Sequence, residues 1–377
     1  MTQEPPLPLS FSLSELAGSM GDFGTIIPLI LAVALVSDVD PRYILLFFGI
    51  WFILTGLYYR LPIPLEPMKA IAVVVIAAGA VGGISAGEIA AAGLILGAIF
   101  LLLGYGRFFS IIERWVPQSV VRGIQLGLAL LLFRSSAGFI IKDPFFFGIG
   151  IAVIIGFYLL VRYRGIPDLS SICVIGIGLI GGILLYGIPP LSLIPAPQLV
   201  IPLPSDFMPA LSTLVLPQVV LTIANAILAT ALLTKDLFGK DVPPRKFSTT
   251  IGLMNLTSVP FGGFPMCHGA GGLAGQYRYG ARTGGANVYA GLIFLILALF
   301  FTSPQVLSII AVGVLGALLV FVGIEMGRHS FKSDSLLVTV VIGILAVVSS
   351  ITVAFLVGMV IAYLVAWSRK RLLRETA

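Results

Sequence analysis

Lys69 and His268 are the residues of this sequence best placed to do chemistry. Each follows a Pro-Met pair in apolar surroundings, in Pro67-Met68-Lys69 and in Pro265-Met266-Cys267-His268. A lysine at membrane depth costs roughly 2.5–3.5 kcal/mol even on lenient insertion scales, so it has a role or a partner. The role is to attract and hold an anion. The alternatives are an ion pair with Glu66 or Asp22, or a side chain reaching back to water. His268 can donate to a bound group or titrate; it can equally be satisfied by its neighbours. Cys267 reads as a small packing residue, since a lone Cys-His pair has no third member for nucleophilic or metal chemistry. Asp22, in Gly21-Asp22-Phe23-Gly24-Thr25, also needs a partner. It can relay a proton, pair with Lys69 or cap a local helix break, and an orienting or coupling role suits it better than direct contact with an anion. Asn225 either lines a cavity or bonds a neighbouring helix, and Asn255 is similar. Arg122 lies one turn into an apolar segment and reads as a side chain that reaches the surface.

The elements that carry Lys69 and His268 are unusual. Residues 62–76 read PIPLEPMKAIAVVVI; prolines at 62, 64 and 67 force an extended entry, and a helical apolar run follows from Met68. Residues 261–284 read FGGFPMCHGAGGLAGQYRYGARTG. The run Gly269-Ala270-Gly271-Gly272 has too little side chain for a lipid-facing helix, and such backbone is tolerated at membrane depth only where protein or a water-filled cavity covers it. We expect an extended segment over 262–267 and a short helix from His268 or Gly269. The free amides of that helix start, with the positive end of its dipole, suit an anion. Two interrupted spans in corresponding positions of two halves point to the binding site of a secondary transporter.

Composition sets the frame for these breaks. The chain has 377 residues, 58% hydrophobic and 10% charged, with a mean hydropathy of +1.11. A soluble domain carries about 25% charged residues, so this is an all-α polytopic membrane protein. Apolar segments fall near 15–36, 42–59, 67–83, 86–104, 117–133, 144–162 and 169–187, then near 207–233, 246–260, 267–277, 286–302, 304–323, 335–349 and 351–368. Seven segments precede the Pro-rich stretch 188–204 and seven follow it, giving repeats over 1–188 and 189–377. An odd number per half inverts the second half relative to the first.

Loop charge tests that count. With the N-terminus inside, all of the 22 basic residues except Arg42, Lys69, Arg134 and Lys142 fall on the cytoplasmic side, as the positive-inside rule requires. Both termini are then cytoplasmic, and the net charge of +6 reflects topology rather than nucleic acid. The N-terminal residues show no basic region ahead of an apolar run, so no cleaved signal peptide is expected. Cys173 and Cys267 both lie in apolar segments, which argues against a disulfide.

The motifs PxPxxPMKxIAxVxI and GGFPMCHGAGGLAGQYRYGAR closely resemble the paired signatures of the molybdate transporter family, a branch of the sulfate permease superfamily without a C-terminal regulatory domain. GDFGTIIP resembles that family's Gly-Asp-x-Gly-Thr element, and Pro117-Gln118-Ser119-Val120-Val121-Arg122-Gly123 resembles the superfamily's fifth span. The resemblance implies the seven-plus-seven inverted repeat of sulfate and uracil permeases, with a core domain from spans 1–4 and 8–11 moving against a gate domain from spans 5–7 and 12–14. It places the substrate between the two half-helix starts, against Met68, Lys69, Ala70, Cys267, His268, Gly269, Ala270 and Thr25, with Asp22 and Glu66 coupling or orienting; Asn225 joins this set from the residues alone. The sequence departs from the family pattern at Glu66 and Ala70, where an uncharged polar residue and a hydroxyl are expected.

The expectation is a transporter, not an enzyme, that takes up molybdate across the cell (plasma or inner) membrane without a cofactor. Two helix dipoles and a lysine suit a dianion. Sulfate or tungstate transport and an anion channel on the same scaffold are the rival readings. Proton coupling and facilitated uptake both remain open, and superfamily relatives suggest a homodimer.

Overall fold

The computed structural model describes residues 8–78, 83–105, 115–187, 193–300 and 309–375. Arg107, Arg114, the end of the first broken span (79–82), the first linker residues (188–192) and the start of the expected 304–323 segment lie outside the described residues.

In chain order the elements are α1 (Leu13–Ser19), α2 (Phe23–Val36), α3 (Pro41–Tyr59), β1 (Glu66–Pro67), α4 (Lys69–Ala78), α5 (Ala86–Tyr105), α6 (Gln118–Lys142), α7 (Pro144–Arg164) and α8 (Ser170–Tyr186). They continue with α9 (Pro204–Phe238), α10 (Pro244–Ser258), β2 (Met266–Cys267), α11 (Ala270–Arg278), α12 (Gly285–Phe300), α13 (Val312–Ser330), α14 (Leu336–Val348) and α15 (Ile351–Glu375). Among the described residues seven helices are long and apolar enough to cross a membrane, counting α1 and α2 together, and four shorter apolar ones accompany them. Both Pro-Met stretches are broken spans with short extended entries.

Three elements differ from expectation, each for a readable reason. The first span breaks at Met20–Asp22, yet Asp22 makes no side-chain cap there. The break lets α1 and α2 lie against α11 with backbone almost touching backbone: a Cβ on Gly21 would overlap the Gly275 carbonyl, and one on Gly275 would meet the Gly21 carbonyl. The fifth segment does not stop at 133 but runs on to Lys142 as α6, because Arg134 and Ser135 line a cavity and Ser136 donates to the Gly316 carbonyl at 2.9 Å. Within the expected 304–323 segment α13 begins at Val312, and the described residues 309–311 ahead of it are not helical. Its start is fixed by Asp143, whose two carboxylate oxygens accept from the Gly313 amide (3.1 Å) and the Phe146 amide (3.2 Å); a cap supplied from elsewhere in the chain leaves no local mark.

Candidate functional site

The two extended entries pair with each other. β1 and β2 run antiparallel, with Glu66 opposite Cys267 and Pro67 opposite Met266, and the Met68 amide donates to the Pro265 carbonyl at 2.8 Å. Prolines at 64, 67 and 265 have no N–H to lend, so the ladder stays two residues long. Antiparallel strands send α4 and α11 off in opposite directions, and their N-termini meet head to head.

Asn255 of α10 completes the ladder like a third strand. It accepts from the Met266 amide (3.0 Å) and donates to the Met266 carbonyl (2.8 Å) and to the Ile251 carbonyl (2.7 Å). Asn255→Leu strips two buried backbone groups of their partners. We expect a loss of roughly 2–5 kcal/mol of stability, read as a lower melting temperature in detergent.

His268 is a brace on the same side. One ring nitrogen contacts the Pro64 carbonyl at 2.9 Å and the other the Thr250 hydroxyl at 2.8 Å, while Tyr59 and Phe247 stand edge-on to the ring. The imidazole is fully buried, with both nitrogens held by protein.

Neither helix start is vacant. At α4 the amides of Ala70 and Ile71 donate to Gln218 Oε1 at 2.9 and 3.4 Å, and Gln218 Nε2 donates to Thr222 at 2.9 Å. Gln218 was absent from the expected site, although a glutamine within the apolar α9 carried the same signal as Asn225. At α11 the Gly272 amide donates to Glu66 Oε1 at 2.9 Å. The helix start expected to receive a foreign anion therefore holds the protein's own carboxylate, and the glycine run is the space it needs. A Cβ on Gly269 or Gly272 would overlap Glu66, and one on Gly272 would also strike Asp22. Lys69 Nζ lies 2.5 Å from Glu66 Oε2. Asp22 is buried nearby, with no hydrogen-bond partner for either carboxylate oxygen among the described residues. One ammonium thus faces two carboxylates.

A cavity of about 950 Å³ opens beside this cluster. Thr25, Lys69 and Ala70 line it from one side, Arg134, Ser135 and Phe139 of α6 from another, and residues 349–353 from a third. Lys69 keeps 23% of its side-chain surface exposed. Met68, Cys267, His268, Gly269, Ala270, Asn225, Asp22 and Glu66 are not among the lining residues. Asn225 is buried in the middle of α9, and its side-chain oxygen has no partner among the described residues.

The chain as a whole has counterparts among known proteins. The model of a family described as molybdate transporter of MFS superfamily matches residues 14–132 and 210–326. Molybdate transporter 1 of Arabidopsis thaliana is 32% identical over 95% of this chain and 89% of its own length. The chain belongs to the molybdate transporter family. Molybdate transporter 2 of Arabidopsis thaliana is 31% identical over 92% of this chain and 86% of its own length. Relatives of the family are named for transport rather than catalysis.

Solved structures add the fold. The transmembrane domain of the cyanobacterial bicarbonate transporter BicA superposes with a TM-score of 0.59 at 16% identity, over 92% of this chain and 96% of that one. Murine Solute Carrier 26 family member A9, an anion transporter in the inward-facing state, gives 0.63 at 15% identity, over 96% and 69%. This member of the molybdate transporter family therefore has the fold of those transmembrane domains.

Arg122 corrects the sequence reading. It does not reach the surface: it is buried, with its guanidinium 2.5 Å from Asp236 of α9 and bonded to Gln125 (3.0 Å) and the Lys332 carbonyl (3.1 Å). Asp236 also faces His329 of α13 at 3.5 Å. Likewise Arg278 at the end of α11 bonds Asp168, 110 residues earlier, at 2.8 Å. Hydropathy alone cannot see such pairs, because each partner sits at the end of a different helix.

Proposed function

We propose that the protein takes up molybdate across the cell membrane by alternating access. The observation that carries this reading is the cavity ending on Thr25, Lys69 and Ala70 at the start of α4, in a chain of this family. The substrate seat comprises those three residues, with Met68 and the β1–β2 ladder, Cys267, Gly269 and Ala270 shaping it from behind and His268 bracing the ladder.

Packing supports the division into two moving bodies. α3 packs along α12 and α5 along α10, while α6 packs along α13 and α14. Each pair stays within the expected core (spans 1–4 and 8–11) or within the gate (spans 5–7 and 12–14). Laying the second half on the first turns the α3–α12 pair into the α10–α5 pair, as an inverted repeat requires.

The ion pairs and most hydrogen bonds between the two bodies lie on one side, with the Thr352–Pro217 bond (3.4 Å) crossing on the other. Arg122–Asp236, Arg278–Asp168, the Gln125–Ala229 bond (3.1 Å) and the Tyr279–Leu318 bond (3.0 Å) join them toward the loops rich in Lys and Arg. The cavity opens at the other end, beside the 349–351 turn. By the positive-inside rule this is an outward-facing state with a closed inner gate. Ala70→Cys is then labelled by a membrane-impermeant maleimide from outside, and molybdate protects it. Labelling from the cytoplasmic side alone would reverse the sidedness.

Charge arithmetic favours proton coupling. A dianion beside Lys69 also meets Glu66 and Asp22, and like charges in a dry site are costly. Protonating both carboxyls leaves Lys69 free to hold the anion, so an acidic outside drives uptake. Glu66→Gln should make uptake insensitive to an imposed pH gradient, while wild type responds severalfold. The function itself is tested by mass-detected molybdate uptake into liposomes, with sulfate and tungstate as competitors. Preference for sulfate would reassign the substrate, and ion currents without saturation would reassign the mechanism.

A further inference from the structure

Arg134 belongs to none of the roles assigned so far. It is one of the four basic residues outside the cytoplasmic set, and the structure places it inside α6 on the cavity wall, next to Ser135. Its side chain is exposed to the cavity, and among the described residues it has no hydrogen-bond or ion-pair partner. The other cations near the path are matched among the described residues: Lys69 by Glu66, Arg122 by Asp236, Arg278 by Asp168.

The lining of this cavity contains two ionisable side chains, Lys69 and Arg134, and no carboxylate. Lys69 is already neutralised from behind by Glu66 at 2.5 Å, with Asp22 beside it. The uncompensated positive charge that an incoming anion meets is therefore that of Arg134. A guanidinium keeps its charge at every physiological pH and offers paired N–H donors that match two oxygens of a tetrahedral oxyanion. A single-signed charge in a narrow, low-dielectric cleft also concentrates counter-ions, an effect that salt weakens.

We infer that Arg134 is the capture residue for the oxyanion, binding it in the cavity before it reaches Lys69 and independently of the proton state of Glu66 and Asp22. The inference rests on the reading of the protein as an oxyanion carrier. It also adds a division of labour: Arg134 on α6 sets loading, and the Lys69 cluster sets coupling.

The test is molybdate uptake into liposomes at low and high ionic strength for wild type, Arg134→Gln and Arg134→Lys. For Arg134→Gln we expect KM at low salt to rise about tenfold, more than Vmax changes, and the salt dependence of KM to flatten. Arg134→Lys, which keeps the charge and loses the fork, should retain the salt dependence with a smaller rise in KM. An Arg134→Gln variant with wild-type KM and wild-type salt dependence overturns the inference, as does a variant that loses Vmax at unchanged KM. So does an Arg134→Gln variant that no longer folds, since a partnerless side chain has no structural bond to lose. In these cases wild-type uptake stands, and with it the reading of the protein as a carrier. Wild-type protein that takes up none of molybdate, tungstate and sulfate overturns both.

Discussion

Lys69→Met is expected to abolish the proposed saturable molybdate uptake, leaving less than about 1% of the wild-type rate, equivalent to roughly 2.8 kcal/mol or more. The substitution keeps most of the length of the side chain and removes the only cation of the α4–α11 junction among the described residues. Two consequences coincide: under the proposed function the dianion loses its counter-charge, and Glu66, 1% exposed and 2.5 Å from Lys69 Nζ, loses its own. Breaking a buried pair from one side typically costs 3–5 kcal/mol, so misfolding has to be separated from loss of binding. The double variant Lys69→Met with Glu66→Gln does this, because it leaves no orphan charge. If Lys69 serves only to neutralise Glu66, the double variant recovers uptake. We expect it to recover a monodisperse, thermally stable protein in detergent and still not transport.

The second large effect is Gly269→Val. Gly269 is extended (φ −152°), a conformation open to any residue, so the demand for glycine is one of space. A Cβ there would occupy the position of the Glu66 carboxyl group. Forcing extra carbons into a filled site costs roughly 1–3 kcal/mol. Here it should also push Glu66 off the Gly272 amide and away from Lys69, dismantling the proposed coupling group. Uptake should fall to background, whereas Gly269→Ala should be partly active. Adding Glu66→Ala to Gly269→Ala vacates the space and should restore thermal stability without restoring the response to a pH gradient. A fully active Gly269→Val protein would falsify the packing of Glu66 against this turn.

The broken spans and their meeting were legible in the sequence because proline and glycine act locally. Pro62, Pro64 and Pro67 fix an extended entry wherever they occur, and Gly269 to Gly275 exclude a lipid-facing rod. What fills the junction was not legible. Lys69 with Glu66, three residues apart, stood among several pairings the sequence allowed. Nothing local says that Gln218 crosses to the amides of Ala70 and Ile71, or that Glu66 settles on the Gly272 amide. The helix starts are partly filled for that reason: buried amides attract any acceptor within reach, and the protein supplied two of its own, Gln218 and Glu66. His268 shows the reverse case. Its position beside the break suggested contact with substrate, yet the neighbours Pro64 and Thr250 take both nitrogens. Arg122 was read from its distance to the helix end, whereas its partner Asp236 is 114 residues away.

The two-residue ladder between β1 and β2 also constrains biogenesis. Met68 donates its amide to Pro265, a residue that leaves the ribosome long after α4 has been made. Until then the first break carries bare peptide groups, each worth several kcal/mol if left in hydrocarbon. The nascent amino-terminal half must therefore wait in a hydrated or chaperoned compartment, and a chain truncated before residue 265 is a natural substrate for membrane quality control.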